Sequence, residues 1–179
     1  APNGRKVAIT NLGAAFTFGS GGCHLYDFDR STGIFTPIVT FPNGDGNYGV
    51  SFSPNSEVLY MTRGLEIIQY DLNDINVFNI DFKSEIVGNI NIVFNSLQLG
   101  PDDKIYISRY SNVKLSIINF PNEINTLNNP NACGFNYNGV QLSQSPIPTR
   151  SRMGLPNMID AKPGTPSADF DYFILNCGE

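Results

Sequence analysis

The residues able to do chemistry are few in this chain, and they are scattered. His24 is the only histidine. A Ser-His-Asp relay built on it would need Asp27 or Asp29 and a serine nucleophile. No G-x-S-x-G elbow marks such a serine, so His24 reads as a polar residue at a strand edge. The run Phe18-Gly19-Ser20-Gly21-Gly22 is glycine-rich, yet it lacks the lysine and following helix of a phosphate loop. Asn43, Asp45 and Asn47 present oxygen ligands at alternate positions, as calcium loops do, without a bidentate glutamate at the matching distance. They are the metal candidates, and calcium is the ion they would suit. Asp27, Asp29 and the pair Asp102-Asp103 invite the same thought, but Asp and Asn at turns mostly serve backbone hydrogen bonding.

For ligand contact the candidates are Tyr110 and Tyr137, read as exposed loop tyrosines, and Asn131 in the Asn-rich run 128–138. Arg150, Arg152 and Lys162 read as a solvated cationic loop. The cysteines Cys23, Cys133 and Cys177 have neither zinc nor redox spacing. An odd count allows one disulfide and one unpaired thiol, or three buried thiols. Cys177 lies beyond a Pro/Gly-rich stretch and is expected to pair with neither of the others.

Composition narrows the classes further. With 179 residues the chain can build one domain with a real core. A net charge of −5 argues against a nucleic-acid partner. No apolar run reaches membrane-spanning length, so no transmembrane segment is expected. The opening Ala1-Pro2-Asn3-Gly4 reads as a turn rather than the charged start of a signal peptide.

The elements that must position these residues are short strands. Tyr48 to Phe52 alternates, Ser53-Pro54-Asn55-Ser56 turns, Val58 to Thr62 alternates again, and a break at Gly64 leads into Ile67 to Leu72. Proline suits the second position of a type I turn because its φ is already fixed. The same turn and strand occur at Ala1 to Thr10 and at Gly100 to Ser108. Repetition roughly every 45–50 residues is the length of one propeller blade. A second series comprises His24–Gly33, Ile67–Asn76 and Leu115–Asn125; a third comprises Tyr48–Phe52, Ser96–Gly100 and Met153–Ile159. Last strands are expected at Phe35–Phe41, Val77–Phe82 and Gly139–Ser143, with Glu85–Asn95 read as loop plus strand. The expected fold is therefore all-β: four-stranded antiparallel blades of a β-propeller, about three to four of them, forming part of a larger ring. Residues 1–160 would be blades. Residues 161–179 would be a linker and the start of a following Ig/PKD-like domain.

Taken together, YGVSFSPNSEVLYMT, IIQYDLN, LQLGPDDKIYIS, LSIINFPN, the Ala-Cys-Gly-Phe and GVQLS segments, and GLPNMI resemble large secreted proteins of gliding bacteria. Those carry a WD40-like or lactonase-like propeller, then PKD/Ig-like domains, and often a C-terminal gliding-motility or type IX sorting domain. The resemblance covers about Lys6 to Ile159. It implies export to the medium or outer cell surface, and it supplies no agreed catalytic residues.

Two functions follow as expectations. The first is a non-catalytic extracellular binding or scaffold module linked to adhesion or gliding, needing no cofactor. Its partners would be a protein or glycan and the remainder of its parent chain or another propeller segment. The alternative is a lactonase-like or other hydrolase propeller with a calcium in its channel.

Overall fold

The computed structural model describes residues 1–11, 22–41, 47–63, 66–74, 84–89, 94–142 and 149–155. Among them are the strands β1 (Lys6–Asn11), β2 (Gly22–Asp29), β3 (Ile34–Phe41), β4 (Asn47–Phe52), β5 (Val58–Arg63), β6 (Glu66–Asp71), β7 (Ser84–Asn89), β8 (Phe94–Leu99), β9 (Ile105–Arg109), β10 (Lys114–Ile118) and β11 (Phe135–Gln141). No helix occurs among the described residues. The strands form three antiparallel meanders in chain order: β1-β2-β3, β4-β5-β6-β7 and β8-β9-β10-β11.

Two apolar cores join the sheets, and the middle sheet contributes to both. Val58, Tyr60 and Ile67 face the third sheet, packing with Leu97, Leu99, Ile105, Ile107, Ile118 and Cys133. Phe52, Leu59, Met61, Ile68 and Tyr70 face the first sheet, packing with Cys23, Leu25, Val39 and Phe41. Successive side chains of a strand point to opposite faces. A sheet buried on both faces must therefore read as an unbroken apolar run, as Val58-Leu59-Tyr60-Met61 does. Face-to-face stacking of up-and-down sheets is β-propeller architecture, and the chain forms part of such a propeller.

The proline turns occupy equivalent places. The carbonyls of Ala1, Ser53 and Gly100 accept from the N–H groups of Gly4, Ser56 and Asp103 at 2.9, 2.9 and 3.2 Å. Those three acceptor-turn ends have φ of 67°, 66° and 63°. Each turn is thus closed by a left-handed residue, which glycine, serine and aspartate supply. The turns are tied sheet to sheet: the Asn3 N–H donates to Ser56 Oγ at 3.1 Å, and the Asn55 N–H to Asn122 Oδ1 at 3.1 Å.

A second equivalence lies inside the sheets. Thr62 Oγ1 accepts from the Gly49 N–H at 2.7 Å, and Ser108 Oγ from the Ser96 N–H at 3.0 Å. Thr10 Oγ1 donates across to the Tyr48 carbonyl of the next sheet at 2.8 Å. Ser108 Oγ likewise donates to the Met153 carbonyl at 3.0 Å. Met153-Gly154-Leu155 thereby stands to the third sheet as Tyr48-Gly49-Val50 stands to the first, as the third repeat series requires.

Two strands differ from expectation. The strand pairing with β6 is Ser84–Asn89, which overlaps the stretch Glu85–Asn95 read as loop plus strand; Val77–Phe82 lies outside the described residues. The edge of β6 needs a partner, and the β-branched Ile86 and Val87 favour an extended backbone. The last strand of the third sheet starts at Phe135 rather than Gly139. Its Asn136 and Asn138 are exposed, so an outer strand resembled an asparagine-rich loop. A Cβ on Gly139 would collide with Ile117, where the β10–β11 register shifts. Cys23 lies in β2 rather than a loop; it and Cys133 are buried in separate cores, unpaired. Cys177 and the 161–179 segment lie outside the described residues.

Candidate functional site

Antiparallel meanders place their connections at two ends. The proline turns and the β2–β3 and β10–β11 connections share one end. The β9–β10 turn, the end of β5 and the start of β6 share the other. The sequence candidates are thereby separated: Tyr110, in the β9–β10 turn, lies at the opposite end from Asn131, in the β10–β11 connection. Asn43 and Asp45 lie outside the described residues. Asn47 opens β4 opposite Arg63, at the Tyr110 end.

At the Tyr110 end, residues 149–153 are laced to the β9–β10 turn. The Ser111 N–H donates to the Ser151 carbonyl at 2.9 Å, and the Ser151 N–H to the Asn112 carbonyl at 2.7 Å. Ser151 Oγ accepts from the Arg109 N–H at 3.2 Å and donates to the Arg109 carbonyl. Arg150 Nη1 donates to the Ser111 carbonyl at 2.8 Å. The result is a fixed rim from which Tyr110 projects, 59% exposed, beside the exposed Arg150 and Arg152. Below it Arg109 is fully buried. Its guanidinium carbon stands 3.9 Å above the Tyr137 ring, and Nη2 donates to Asn112 Oδ1 and the Lys114 carbonyl, each at 3.1 Å. Tyr137 is therefore not an exposed loop residue: it lies half-buried in β11 beneath a cation. A polar rim bearing one exposed ring and guanidinium groups can stack on an apolar or sugar face and hydrogen-bond to oxygen acceptors.

At the opposite end the Asn-rich loop is held by a buried polar knot, which sequence reading missed. Gln69 Nε2 donates to Tyr60 Oη at 2.7 Å and to the Glu123 carbonyl at 2.6 Å, while Gln69 Oε1 accepts from the Asn125 N–H at 2.9 Å. Tyr60 Oη donates to the Pro121 carbonyl at 3.0 Å, and Asn125 Oδ1 accepts from the Cys133 N–H at 3.0 Å. The one available signal was a glutamine at a core position of the apolar run Ile67-Ile68-Gln69-Tyr70. Asn131 spends its side-chain oxygen on the Phe135 N–H at 2.8 Å.

The remaining titratable candidates are committed to local roles. His24 Nδ1 lies 3.0 Å from Thr40 Oγ1. Asp27 pairs with Lys6 at 2.9 Å. Asp29 accepts from the Ser31 hydroxyl and N–H, which lower its carboxyl to about 2. Slight burial raises the Asp102 carboxyl, but Tyr106 and Lys104 outweigh it and hold the group below its ordinary value. Burial pushes the Cys23 thiol up to about 12 and raises Cys133 as well, so neither is a ready nucleophile. Among the described residues no three His, Cys, Asp or Glu side chains stand together as a metal site would need.

No family model matches the chain, and no curated protein does. Among solved structures, a calcium-binding protein, regucalcin, from Agrobacterium tumefaciens is similar, at 14% identity and a TM-score of 0.48, over 70% of this chain and 41% of its own. The periplasmic gluconolactonase of Pseudomonas aeruginosa is similar at 15% identity and a TM-score of 0.48, over 67% of this chain and 38% of its own. This chain therefore spans less than half the length of either.

Proposed function

We propose that this chain is a non-catalytic binding module of an exported protein, presenting the Tyr110 rim to a protein or glycan ligand at the outer cell surface. The observation that carries this reading is the contrast in how side chains are used. His24, Cys23, Cys133 and the carboxylates of Asp27, Asp29 and Asp102 are engaged in turns, pairs or cores, whereas Tyr110 is exposed on a backbone fixed by Ser151. Rigid scaffolds carrying exposed loop residues are where binding concentrates. The family resemblance read from the repeats agrees with export and with adhesion or gliding.

The test is binding of the labelled chain to an immobilised glycan panel and to whole bacterial surfaces. Tyr110→Ala combined with Arg152→Ala is expected to lower binding at least tenfold while the thermal melt moves by less than roughly 2 °C. Calcium-dependent lactone or ester hydrolysis by the purified chain, abolished by Asp45→Ala, would overturn this reading in favour of the hydrolase.

A further inference from the structure

We propose, on the basis of the binding role given above to the Tyr110 rim, that its ligand is an acidic sugar: a pyranose ring lies on Tyr110 and its carboxylate is held by the arginines around it. Charge is sorted along the sheets in a way that favours this. Glu57, Asp102 and Asp103 lie in or beside the proline turns, and Asp29, Asp71 and Glu123 lie at the same end of the sheets. Of the described carboxylates only Glu66, at the start of β6, stands at the Tyr110 end, and it is spent on Arg63 at 2.8 Å. Cations on the third sheet do the reverse. Arg109 ends β9, Lys114 begins β10, and Arg150 and Arg152 flank Ser151, whose hydroxyl oxygen accepts from the Arg109 N–H. Lys6, Arg63 and Lys104 have carboxylate partners elsewhere. Arg109, Lys114, Arg150 and Arg152 have none among the described residues. The chain as a whole carries a net charge of −5, so an unneutralised cationic rim is a local feature and not a general one.

A second, independent sign is Arg109 itself. It has no exposed surface, yet its Nε and Nη1 have no acceptor. Buried charges are ordinarily paired. Nη2 anchors the guanidinium to the rim by donating to Asn112 Oδ1 in the β9–β10 turn. A charge in a low-dielectric surrounding is weakly screened, so Arg109 adds positive potential to the surface above it. An anion arriving at the rim supplies the counter-charge that the fold withholds. Shape decides between a sugar and a protein. The exposed large apolar side chains of this rim are Tyr110 and Met153, the latter 40% exposed. A protein interface of standard size buries about 800 Å² per partner around a core depleted in charge. A ring set among arginines is not such a core. One pyranose presents an apolar C–H face to a ring and a carboxylate to a guanidinium fork. Ring and forks keep a fixed relation, because Ser111 and Asn112 are bonded to Ser151 through the backbone, which lowers the cost of ordering the site.

The test uses the full chain and a galacturonic acid oligomer, with its methyl ester as the uncharged twin and poly-glutamate as an acidic chain without sugar faces. In calorimetric titration the acid is expected to bind at least about tenfold more tightly than the ester or poly-glutamate. Raising sodium chloride from roughly 50 to 300 mM should weaken the acid several-fold and leave the ester unchanged. Arg152→Gln should cost the acid at least about tenfold and the ester less than about twofold, whereas a merely structural change would weaken both alike. Arg109→Met should cost the acid about threefold, with the ester unchanged. Equal binding of acid and ester, both lost in Tyr110→Ala, would overturn the acidic ligand and leave the binding role of the rim standing. Tighter binding of poly-glutamate would give the rim to an acidic protein segment and overturn the sugar. Binding of neither the galacturonate oligomer nor a sialylated trisaccharide would overturn the proposal as well, and the glycan panel and bacterial surfaces then decide separately whether the rim binds at all.

Discussion

Gln69 and Arg109 are both polar, both buried, and both strand residues between the middle and third sheets, yet they are treated in opposite ways. Gln69, 1% exposed, has its amide fully used: two acceptors for its nitrogen and one donor for its oxygen. Arg109, with no exposed surface, has Nη2 satisfied and its face on Tyr137, but Nε and Nη1 make no hydrogen bond among the described residues. A satisfied buried amide ties sheets together and is costly to disturb, whereas an incompletely satisfied buried charge has already spent much of its gain on desolvation. Burial alone therefore does not rank the two residues; partner counting does.

The largest effect should come from breaking the satisfied side. Gln69→Leu keeps the volume but leaves the Tyr60 hydroxyl oxygen without the N–H it accepts, and strands the Asn125 N–H and the Glu123 carbonyl. Unsatisfied buried groups cost about 1–3 kcal/mol each, partly relieved by relaxation, so a loss of about 3 kcal/mol is expected. For a chain of this size that lowers the melting temperature by roughly 6–12 °C. Urea unfolding is the check, and a loss below about 1 kcal/mol would mean that the Asn-rich loop is not held through Gln69.

How much of this was legible in the sequence depends on distance along the chain. The proline turns were legible because each is a local device: Pro54 or Pro101 sets one dihedral, and the residue closing the turn takes a positive φ two positions on. The strands of the middle sheet were legible from the turns that flank them, but the alternation read over Val58–Thr62 was not the pattern found: Val58, Leu59, Tyr60 and Met61 are all buried, because the sheet is covered on both faces. The start of β11 was not, because an outer strand whose Asn136 and Asn138 face water has a loop's composition. The partners of Gln69 were illegible for another reason. They lie across two sheets, at Glu123 and Asn125, and no local pattern encodes a contact between distant segments. Of the ligand-contact candidates, Tyr110 is exposed as read. Tyr137 is not, because nothing near it in sequence announces that Arg109 lies over its ring.

Alkaline titration sharpens the comparison, since Tyr60 and Cys133 belong to the Gln69 knot. Burial, first, and the neighbouring Cys133 raise the Tyr60 hydroxyl; burial raises Cys133. In the other core burial moves Cys23 from 9.0 to about 12. Each group keeps its proton in the fold at a pH where the unfolded chain releases it. The unfolded state then binds fewer protons, so stability falls as pH rises. The Cys23 contribution is present in full below about 9 and is lost progressively toward about 12. Each such group adds a slope of at most about 1.4 kcal/mol per pH unit. Urea midpoints between pH 8 and 10.5 should decline, and Cys23→Ala, though less stable at pH 8, should decline less steeply. Parallel pH profiles for the two proteins would show that this thiol does not titrate between the states.

The smallest effect is expected at Arg109, and it is the more exacting test. Arg109→Met retains a long, flexible side chain able to lie on the Tyr137 ring, and sulfur–aromatic contacts are themselves favourable. It removes a charge whose Nε and Nη1 gain nothing from hydrogen bonding, while Asn112 Oδ1 keeps the Lys114 N–H at 3.0 Å. Replacing a buried charge by an apolar side chain of similar volume is often neutral or stabilising. A change within about 1 kcal/mol of zero is therefore predicted, against the roughly threefold larger loss at Gln69. Arg109→Ala separates packing from charge: it leaves a cavity over Tyr137 and should cost about 2–4 kcal/mol, as large-to-small core changes do. If Arg109→Met proved as damaging as Arg109→Ala, the guanidinium would be stabilising through its charge. The contrast drawn from its two unpaired nitrogens would then be wrong.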